Sequence, residues 1–313
     1  MQSVQLKVTH ETRYDYSAPV SLAHHLAHLQ PLSDAHQQLL SFDLETDPPP
    51  GYSRDGHDAL GNAERRFSLA APHRKLRVRA TSRVILTSRF DDLQAESSPA
   101  WDAVAARLRY VAPSELGRAR LIPEVEFALP SPYVPRLVAL RHFAEASFTP
   151  GRPLAAAAID LMQRIHAQFA YKSRSTQIDT PLVDVWEKRR GVCQDFAHVM
   201  AGAMRMLGLP VRYVSGYLLT HTPAGTTMQG AEASHAWVQA WCPGTSGVPS
   251  DGWLDLDPTN NLVPGTGHVR VAVGRDFGDV TPLRGVIRGG GRHLMTVAVS
   301  TRVATPQPME GAD

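Results

Sequence analysis

Three residues have the types and the spacing that thiol chemistry needs: Cys193, His235 and Asp257. Cys193 follows Gly-Val at the predicted start of a helix, where the helix dipole and unpaired N–H groups stabilise a thiolate and can hold an oxyanion. His235 lies 42 residues further on and could take the thiol proton, and Asp257, another 22 residues on, could orient the imidazole. The set therefore predicts a nucleophile, a base and an orienting acid.

A helix followed by strands could bring these three residues together. The segment 191–210 has the composition and the Gly-x-Pro ending of a helix, and the segments 235–241 and 252–258 alternate like strands. Cross-strand neighbours have Cβ atoms about 4.5–5.5 Å apart, so a hairpin could place Asp257 beside the ring of His235. The other ring nitrogen would then face the thiol.

Each of these residues, taken singly, has a plainer explanation. A cysteine near a helix start is usually a small buried hydrophobe, and a histidine in a strand is usually half-buried surface. An aspartate before a proline is usually a turn residue. The surroundings GVCQDFAH, SHAWVQAW and LDLDPTN, in that order, favour the joint chemical explanation.

Composition indicates an ordinary folded protein of about two domains. The chain has 313 residues, of which 43% are hydrophobic and 20% charged, and its formal net charge is +2. This charge gives no electrostatic case for a nucleic-acid partner. The patterns predict four regions: an N-terminal antiparallel β domain at 1–90, a helical connection at 91–150, a catalytic core at 151–304 and a disordered tail at 305–313.

The two cysteines and the apolar pattern predict a cytoplasmic protein without a membrane partner. No segment approaches the roughly 18 apolar residues of a membrane-spanning helix, and the N-terminal residues lack the apolar core of a secretory signal. Cys193 and Cys242 are therefore expected to be thiols, Cys242 an inert one. No cysteine or carboxylate pattern completes a metal site around His24, His25 and His28, which are expected on the surface.

The segments GVCQDFAH, SHAWVQAW and LDLDPTN resemble the transglutaminase-like cysteine enzyme superfamily, whose core contains G-x-C, H-A-W and D-P-T in this order. GLPVRYVSGYL also resembles that core, and THETRYDYSAPV, DALGN and GRDFGDVTPLRG resemble the bacterial members with their own N-terminal β domain. The resemblance implies an α+β fold, with a small all-β domain before a papain/transglutaminase-like core in which a helix bundle packs on an antiparallel sheet. It places the nucleophile at Cys193, the base at His235 and the carboxylate at Asp257.

The resemblance implies a thiol-dependent acyl-transfer enzyme that acts on amide bonds through a thioester. Its substrate would be a peptide or protein with an amide, a glutamine side chain included, and no cofactor or metal is required. A peptidase or amidase is favoured over a protein-glutamine gamma-glutamyltransferase, because nothing in the sequence marks a lysine-accepting tunnel. Two other classes stay open: a non-catalytic binding module with the same fold and a metal-dependent hydrolase.

Four further residues are candidates for substrate binding. Trp237 could line an acyl pocket, although core packing is the better explanation for it, and Tyr217 could flank the site or simply pack in the core. Gln194 follows the thiol, and Glu232 precedes His235 in a polar loop where it could meet a cationic group or simply face solvent.

Overall fold

The computed structural model describes residues 3–109, 123–173, 175–219 and 234–304. The N-terminal part is a β domain that contributes five strands, in the order β2-β5-β1-β4-β3, to a seven-stranded sheet. Its antiparallel strands are β1 (Ser3–Ala27), β2 (Gln37–Asp47), β3 (Tyr52–His57), β4 (Ala63–Leu69) and β5 (His73–Thr87). In β5 a buried residue alternates with a half-buried one, as period-two side chains on a one-sided sheet require.

Short helices follow the β domain. They are a 3₁₀ turn at Ala95–Ser97, α1 (Trp101–Arg107), a 3₁₀ helix at Pro123–Ala128, α2 (Val138–Glu145), α3 (Leu154–Gln168) and α4 (Leu182–Lys188). The two-residue strands β6 (Ala170–Tyr171) and β7 (Arg190–Gly191) pair in parallel on either side of α4. This pairing brings the end of α3 beside the residues that precede Cys193.

A central helix and a four-stranded sheet form the core of the C-terminal part. The helix is α5 (Cys193–Arg205), and the strands are β8 (Val211–Leu218), β9 (His235–Trp241), β10 (Trp253–Leu256) and β11 (His268–Gly274). The sheet order is β10-β9-β8-β11, all antiparallel. One face of α5 packs on β8 and β9, and α2, α3 and α4 pack around it, so every residue from Asp195 to Arg205 is buried.

The expected helix bundle on a sheet needs correction, because strands hold 43% of the described residues and helices 22%. The helices surround one buried helix rather than packing as a bundle. A further strand pair, β12 (Leu283–Gly289) and β13 (His293–Val303), returns to the N-terminal sheet and pairs with β1. The four regional boundaries stay predictions.

The expected surface position of the three neighbouring histidines is wrong for two of them. His25 and His28 are buried, and only His24 is exposed. His25 is buried because β1 continues past Pro19: its first half pairs with β5 and β13, and its second half, which contains His25, lies between β4 and β12. His28 follows the end of β1, and its backbone N–H donates to the Pro282 carbonyl at 2.9 Å. In the parts of the chain that the structure describes, no helix is both long and apolar enough to span a membrane.

Candidate active site

The helix α5 begins at Cys193, and its first turn is held by the carboxylate of Asp195. Val192 precedes the helix in an extended conformation, and its N–H donates to Asp195 Oδ2 at 2.8 Å. Thr176 Oγ1 donates to the same oxygen at 2.6 Å. Gly191 is required here, because a Cβ atom on it would lie 2.6 Å from the Cβ atom of Asp195. Burial raises the pKa of Asp195, and the two hydrogen bonds oppose that rise.

His235 is the first residue of β9, in the middle of the sheet. It pairs with Gly216 of β8, and its ring stacks on that of Trp237 with centroids 6.1 Å apart. Gly216 leaves room for this packing, since a Cβ atom there would overlap the Val269 carbonyl and the Trp237 ring. His235 Nε2 lies 2.9 Å from Asp257 Oδ2. Its Nδ1 is buried without a hydrogen-bond partner of good geometry among the described residues.

Asp257 lies just beyond β10 and accepts hydrogen bonds on both carboxylate oxygens. Oδ1 accepts the N–H groups of Thr259 at 2.9 Å and Asn260 at 3.1 Å. Oδ2 lies 2.9 Å from His235 Nε2, 2.9 Å from Asn260 Nδ2 and 3.1 Å from His268 Nε2. Burial alone would raise the pKa of Asp257, but His235 and His268 outweigh it and hold that pKa well below its usual range. The carboxylate is therefore an anion that both histidines meet with an Nε2–H.

The electrostatics favour a charged imidazole at His235. Burial lowers its pKa, but the charges of Asp257 and of a Cys193 thiolate outweigh burial and raise the pKa of His235 to about 10. The thiol also lies near two phenols: after burial, its charge contributes to the raised pKa of Tyr171 and of Tyr213. This arrangement favours an imidazolium at His235, next to the sulfur atom at the start of α5.

The structure brings Cys193, His235 and Asp257 together at the junction of α5, β9 and β10. The other thiol, Cys242, is fully buried, and burial raises its pKa to about 12. Cys193 is partly exposed. Only one of the two thiols therefore combines access with a neighbouring base.

The four substrate-binding candidates lie in different environments, and their roles stay predictions. Gln194 Nε2 donates to the Ile178 carbonyl at 3.1 Å. Trp237 is fully buried. Tyr217 is buried, and its hydroxyl lies 3.0 Å from His10 Nδ1, on the β-domain strand β1. Glu232 lies outside the described residues.

Sequence reasoning did not identify His268 and Asn260 as neighbours of Asp257. Asn260 carries a local signal, because Asp-x-x-Asn with a proline after the aspartate is typical of a turn in which the side chains bond to the backbone. His268 has no comparable signal, since only the pairing of β11 with β8 brings it to the site. Donor atoms of His235, Asp257 and His268 all lie within 4.8 Å of one another, a donor set that could also hold a metal ion.

Two family models match the chain. The bacterial transglutaminase-like N-terminal region matches residues 6–85, and the transglutaminase-like superfamily model matches residues 141–258, a range that contains Cys193, His235 and Asp257. A solved structure of a candidate cysteine protease from Cytophaga hutchinsonii aligns with a TM-score of 0.70 and 21% identity, over 99% of this chain and 93% of that one. This structural similarity shows that the two proteins share a fold.

One related sequence covers nearly the whole chain, and another covers a third of it. An uncharacterized protein of Mycobacterium tuberculosis is 36% identical over 285 residues, which are 90% of this chain and 87% of that protein. A protein-glutamine gamma-glutamyltransferase of Pseudomonas aeruginosa is 35% identical over 109 residues, 33% of this chain and 15% of that protein. With these matches and the geometry above, the chain belongs to the transglutaminase-like superfamily, among the members with the bacterial transglutaminase-like N-terminal region.

Proposed function

We propose that the protein is a thiol-dependent acyl-transfer enzyme that cleaves amide bonds of a peptide or protein. The observation that carries this proposal is the position of His235. Its Nε2 is bound to the buried Asp257 carboxylate, and its ring is close enough to Cys193 for a thiolate to raise the imidazole pKa. This is the arrangement of nucleophile, base and orienting acid that acyl transfer through a cysteine uses.

Each residue has a definite task in the proposed reaction. The Cys193 thiolate attacks the amide carbonyl, and backbone N–H groups at the start of α5 bind the oxyanion that forms. The His235 imidazolium gives its Nδ1 proton to the leaving amine, which leaves a thioester on Cys193 and a neutral imidazole. Asp257 keeps the other ring proton on Nε2 throughout. A second nucleophile then attacks the thioester carbonyl while His235 takes its proton, and the C–S bond breaks to return Cys193 to a thiolate beside the imidazolium.

The identity of the second nucleophile separates two activities of this site. Water gives a peptidase or amidase, and a primary amine gives a protein-glutamine gamma-glutamyltransferase, the activity named for the Pseudomonas aeruginosa relative. We favour hydrolysis, because the sequence shows no feature of an amine-accepting channel. The cysteine-protease description of the Cytophaga hutchinsonii protein supports the same choice.

The decisive experiment is intact-protein mass spectrometry with glutamine-containing peptide libraries, with and without a primary amine. We expect an acyl adduct on the wild-type protein, its absence from Cys193→Ala, and free acid rather than amide conjugate as the product. A product that carries the amine would establish transamidation instead. Turnover that survives Cys193→Ala, or the absence of both adduct and turnover, would contradict the proposal, and the second result would favour a binding module.

A metal-dependent hydrolase is the competing candidate, because His235, Asp257 and His268 offer three donors within 4.8 Å. Against it, both histidine Nε2 atoms lie at hydrogen-bond distance from one carboxylate oxygen. We expect iodoacetamide to abolish turnover and a chelator to leave it intact. The reverse pattern would favour the metal.

A further inference from the structure

Two amide side chains of the N-terminal β domain bind the outer edge of β11, where the sheet β10-β9-β8-β11 has no further strand among the described residues. Gln37 Oε1 accepts the N–H of Arg270 at 2.8 Å, and its Nε2 donates to the carbonyl of the same residue at 2.7 Å. Asn62 Oδ1 accepts the N–H of Val273 at 2.8 Å, and its Nδ2 donates to that carbonyl at 2.8 Å. Each amide thus makes the pair of bonds that a residue of an adjacent strand would make.

These two side chains are held rigidly in the β domain. Gln37 is 1% exposed, and its Nε2 also donates to the Leu32 carbonyl at 2.6 Å. Asn62 is fully buried, and its backbone N–H and Nδ2 both donate to the carboxylate of Asp58. Asp58 and Asn62 begin and end the segment DALGN, which the catalytic chemistry leaves without a role.

Strand β11 begins with His268, two residues before Arg270. Its side chain is buried, and its Nε2 lies 3.1 Å from Asp257 Oδ2. Its ring meets the Trp237 ring edge-on at 5.2 Å. Because β8 is the one strand paired with β11 in the described parts of the chain, the position of this imidazole depends on what holds the outer edge of β11.

We propose that His268 is a positioning residue for Cys193, His235 and Asp257, and that Gln37 and Asn62 of the β domain fix the strand that carries it. His268 donates a second histidine N–H to the carboxylate oxygen that orients His235. That hydrogen bond adds to those from Thr259 and Asn260 and further restrains rotation of the carboxylate, a rotation that would move the His235 ring away from the thiol. The β domain then holds the outer edge of the sheet β10-β9-β8-β11, and in this way it influences the site without lying in it. The inference rests on the proposed function for its catalytic readout.

The first test replaces the imidazole of His268 by a side chain that lacks an N–H donor and, separately, by one that keeps a donor. His268→Leu removes the N–H, whereas His268→Gln offers an amide N–H at about the position of Nε2. We expect kcat of His268→Leu to fall about 10- to 100-fold, the range for a lost hydrogen bond to a charged group, with KM nearly unchanged. His268→Gln should recover most of that loss. His73→Gln, which alters a buried histidine of β5, is the matched control and should keep wild-type kcat.

The second test changes the β domain only. Gln37→Met keeps the length of the side chain but leaves the N–H of Arg270 without its partner, and leaves the Arg270 carbonyl with the Leu32 N–H alone. We expect kcat to fall several-fold at a temperature well below unfolding. Gln38→Met, at the exposed neighbouring position, is the control and should leave kcat unchanged. A lower unfolding temperature for Gln37→Met with unchanged kcat would overturn the role of the β domain.

Alkylation of Cys193 separates this inference from the proposed function. The rate with iodoacetamide at one fixed pH needs no substrate, and we expect it to fall in His268→Leu and Gln37→Met and to recover in His268→Gln. Equal rates and equal kcat in wild type and His268→Leu, or an equal loss in His268→Leu and His268→Gln, would overturn the inference. A wild-type protein without turnover whose alkylation rates follow the expected order would instead refute only the amide-cleaving function.

Discussion

At the scale of single residues, environment rather than residue type separates the two thiols. Cys193 is partly exposed at a helix start beside His235, whereas Cys242 is fully buried with a pKa raised to about 12. The same holds for the carboxylates. Asp257 is kept ionised by two histidines, while burial raises the pKa of Asp195 at the start of α5. The two cysteines and the two aspartates therefore differ in their chemistry because their surroundings differ.

Iodoacetamide is expected to label Cys193 at least about 100-fold faster than Cys242 at pH 7, because the thiolate is the reactive form and only Cys193 has access and a basic neighbour. Peptide mapping by mass spectrometry after timed quenching measures both rates in one sample. Urea-unfolded protein is the control, in which the two rates should converge. Equally slow labelling of both thiols in the folded protein would contradict the assignment of Cys193.

Asp257→Asn is expected to lower kcat by about 10⁴-fold, because the amide cannot stabilise the imidazolium or hold its tautomer. The same variant should change the pH dependence of stability. Since the folded pKa of His235, about 10, lies above its unfolded value, its contribution is present below pH ~6.5 and is lost as pH rises through 10. Urea unfolding between pH 6 and 10.5 measures this loss.

In Asp257→Asn the loss of stability above neutral pH should be smaller, because the charge that raises the pKa of His235 is gone. Asp257 itself has a lowered pKa, so its contribution is present above pH ~4 and declines only in acid below that value. An alkaline loss as steep in the variant as in the wild type would contradict the His235–Asp257 pairing.

At the scale of elements, the start of α5 combines several constraints in five residues. The parallel pair β6–β7 delivers the chain to Gly191, and the carboxylate of Asp195 caps the helix by accepting the N–H of Val192. The side chain of Asp195 occupies the space beside Gly191. Cys193, the proposed nucleophile, thus lies at a helix start whose geometry is fixed on both sides.

Gly191→Ala is expected to destabilise the protein by about 1–3 kcal/mol and to reduce kcat, because the added Cβ would displace Asp195 and with it the first turn of α5. Chemical denaturation measures the change in the free energy of unfolding. Gly51→Ala is the matched control, since a Cβ atom there meets no atom within 4 Å, and its stability should stay within about 0.5 kcal/mol of wild type. Equal effects of the two substitutions would refute this account.

At the scale of the whole molecule, the two parts share one apolar core and several buried polar contacts. Leu6 and Val84 of the β domain belong to the same hydrophobic cluster as Leu161 and Met200 of the helices. The last strands, β12 and β13, return to pair with β1. The N-terminal sheet is therefore built from both ends of the described chain, and neither part is a separate appendage of the other.

Tyr217→Phe is expected to lower the free energy of unfolding by about 1–2 kcal/mol while leaving KM unchanged, because the hydroxyl bonds to the buried His10 of β1. Thermal or urea unfolding gives the first quantity, and steady-state kinetics the second. The result decides between the two roles that the sequence leaves open for this tyrosine. A raised KM with unchanged stability would assign it to substrate binding instead.

Local sequence alone determined the part of the site that short segments carry. A helix that begins at Cys193, a strand that begins at His235 and a strand that leads to Asp257 each follow from turn residues, alternation and helix composition within about 20 residues. A hairpin of adjacent strands also indicates that His235 and Asp257 lie near each other, although the observed register, extended past the Leu256–Val238 pair, puts Asp257 two residues away from the position directly opposite His235.

Only the tertiary structure decided which distant segments meet. His268 reaches Asp257 through the pairing of β11 with β8, and Gln37 reaches Arg270 across 233 residues of sequence. No local pattern specifies such contacts. In the sequence, an amide that makes the hydrogen bonds of a neighbouring strand cannot be told from any other polar residue. The burial of His25 depends on β4 and β12, which are far apart in the sequence. Strand pairing over long separations is a property of the whole packed chain, and it determines which side chains surround the thiol.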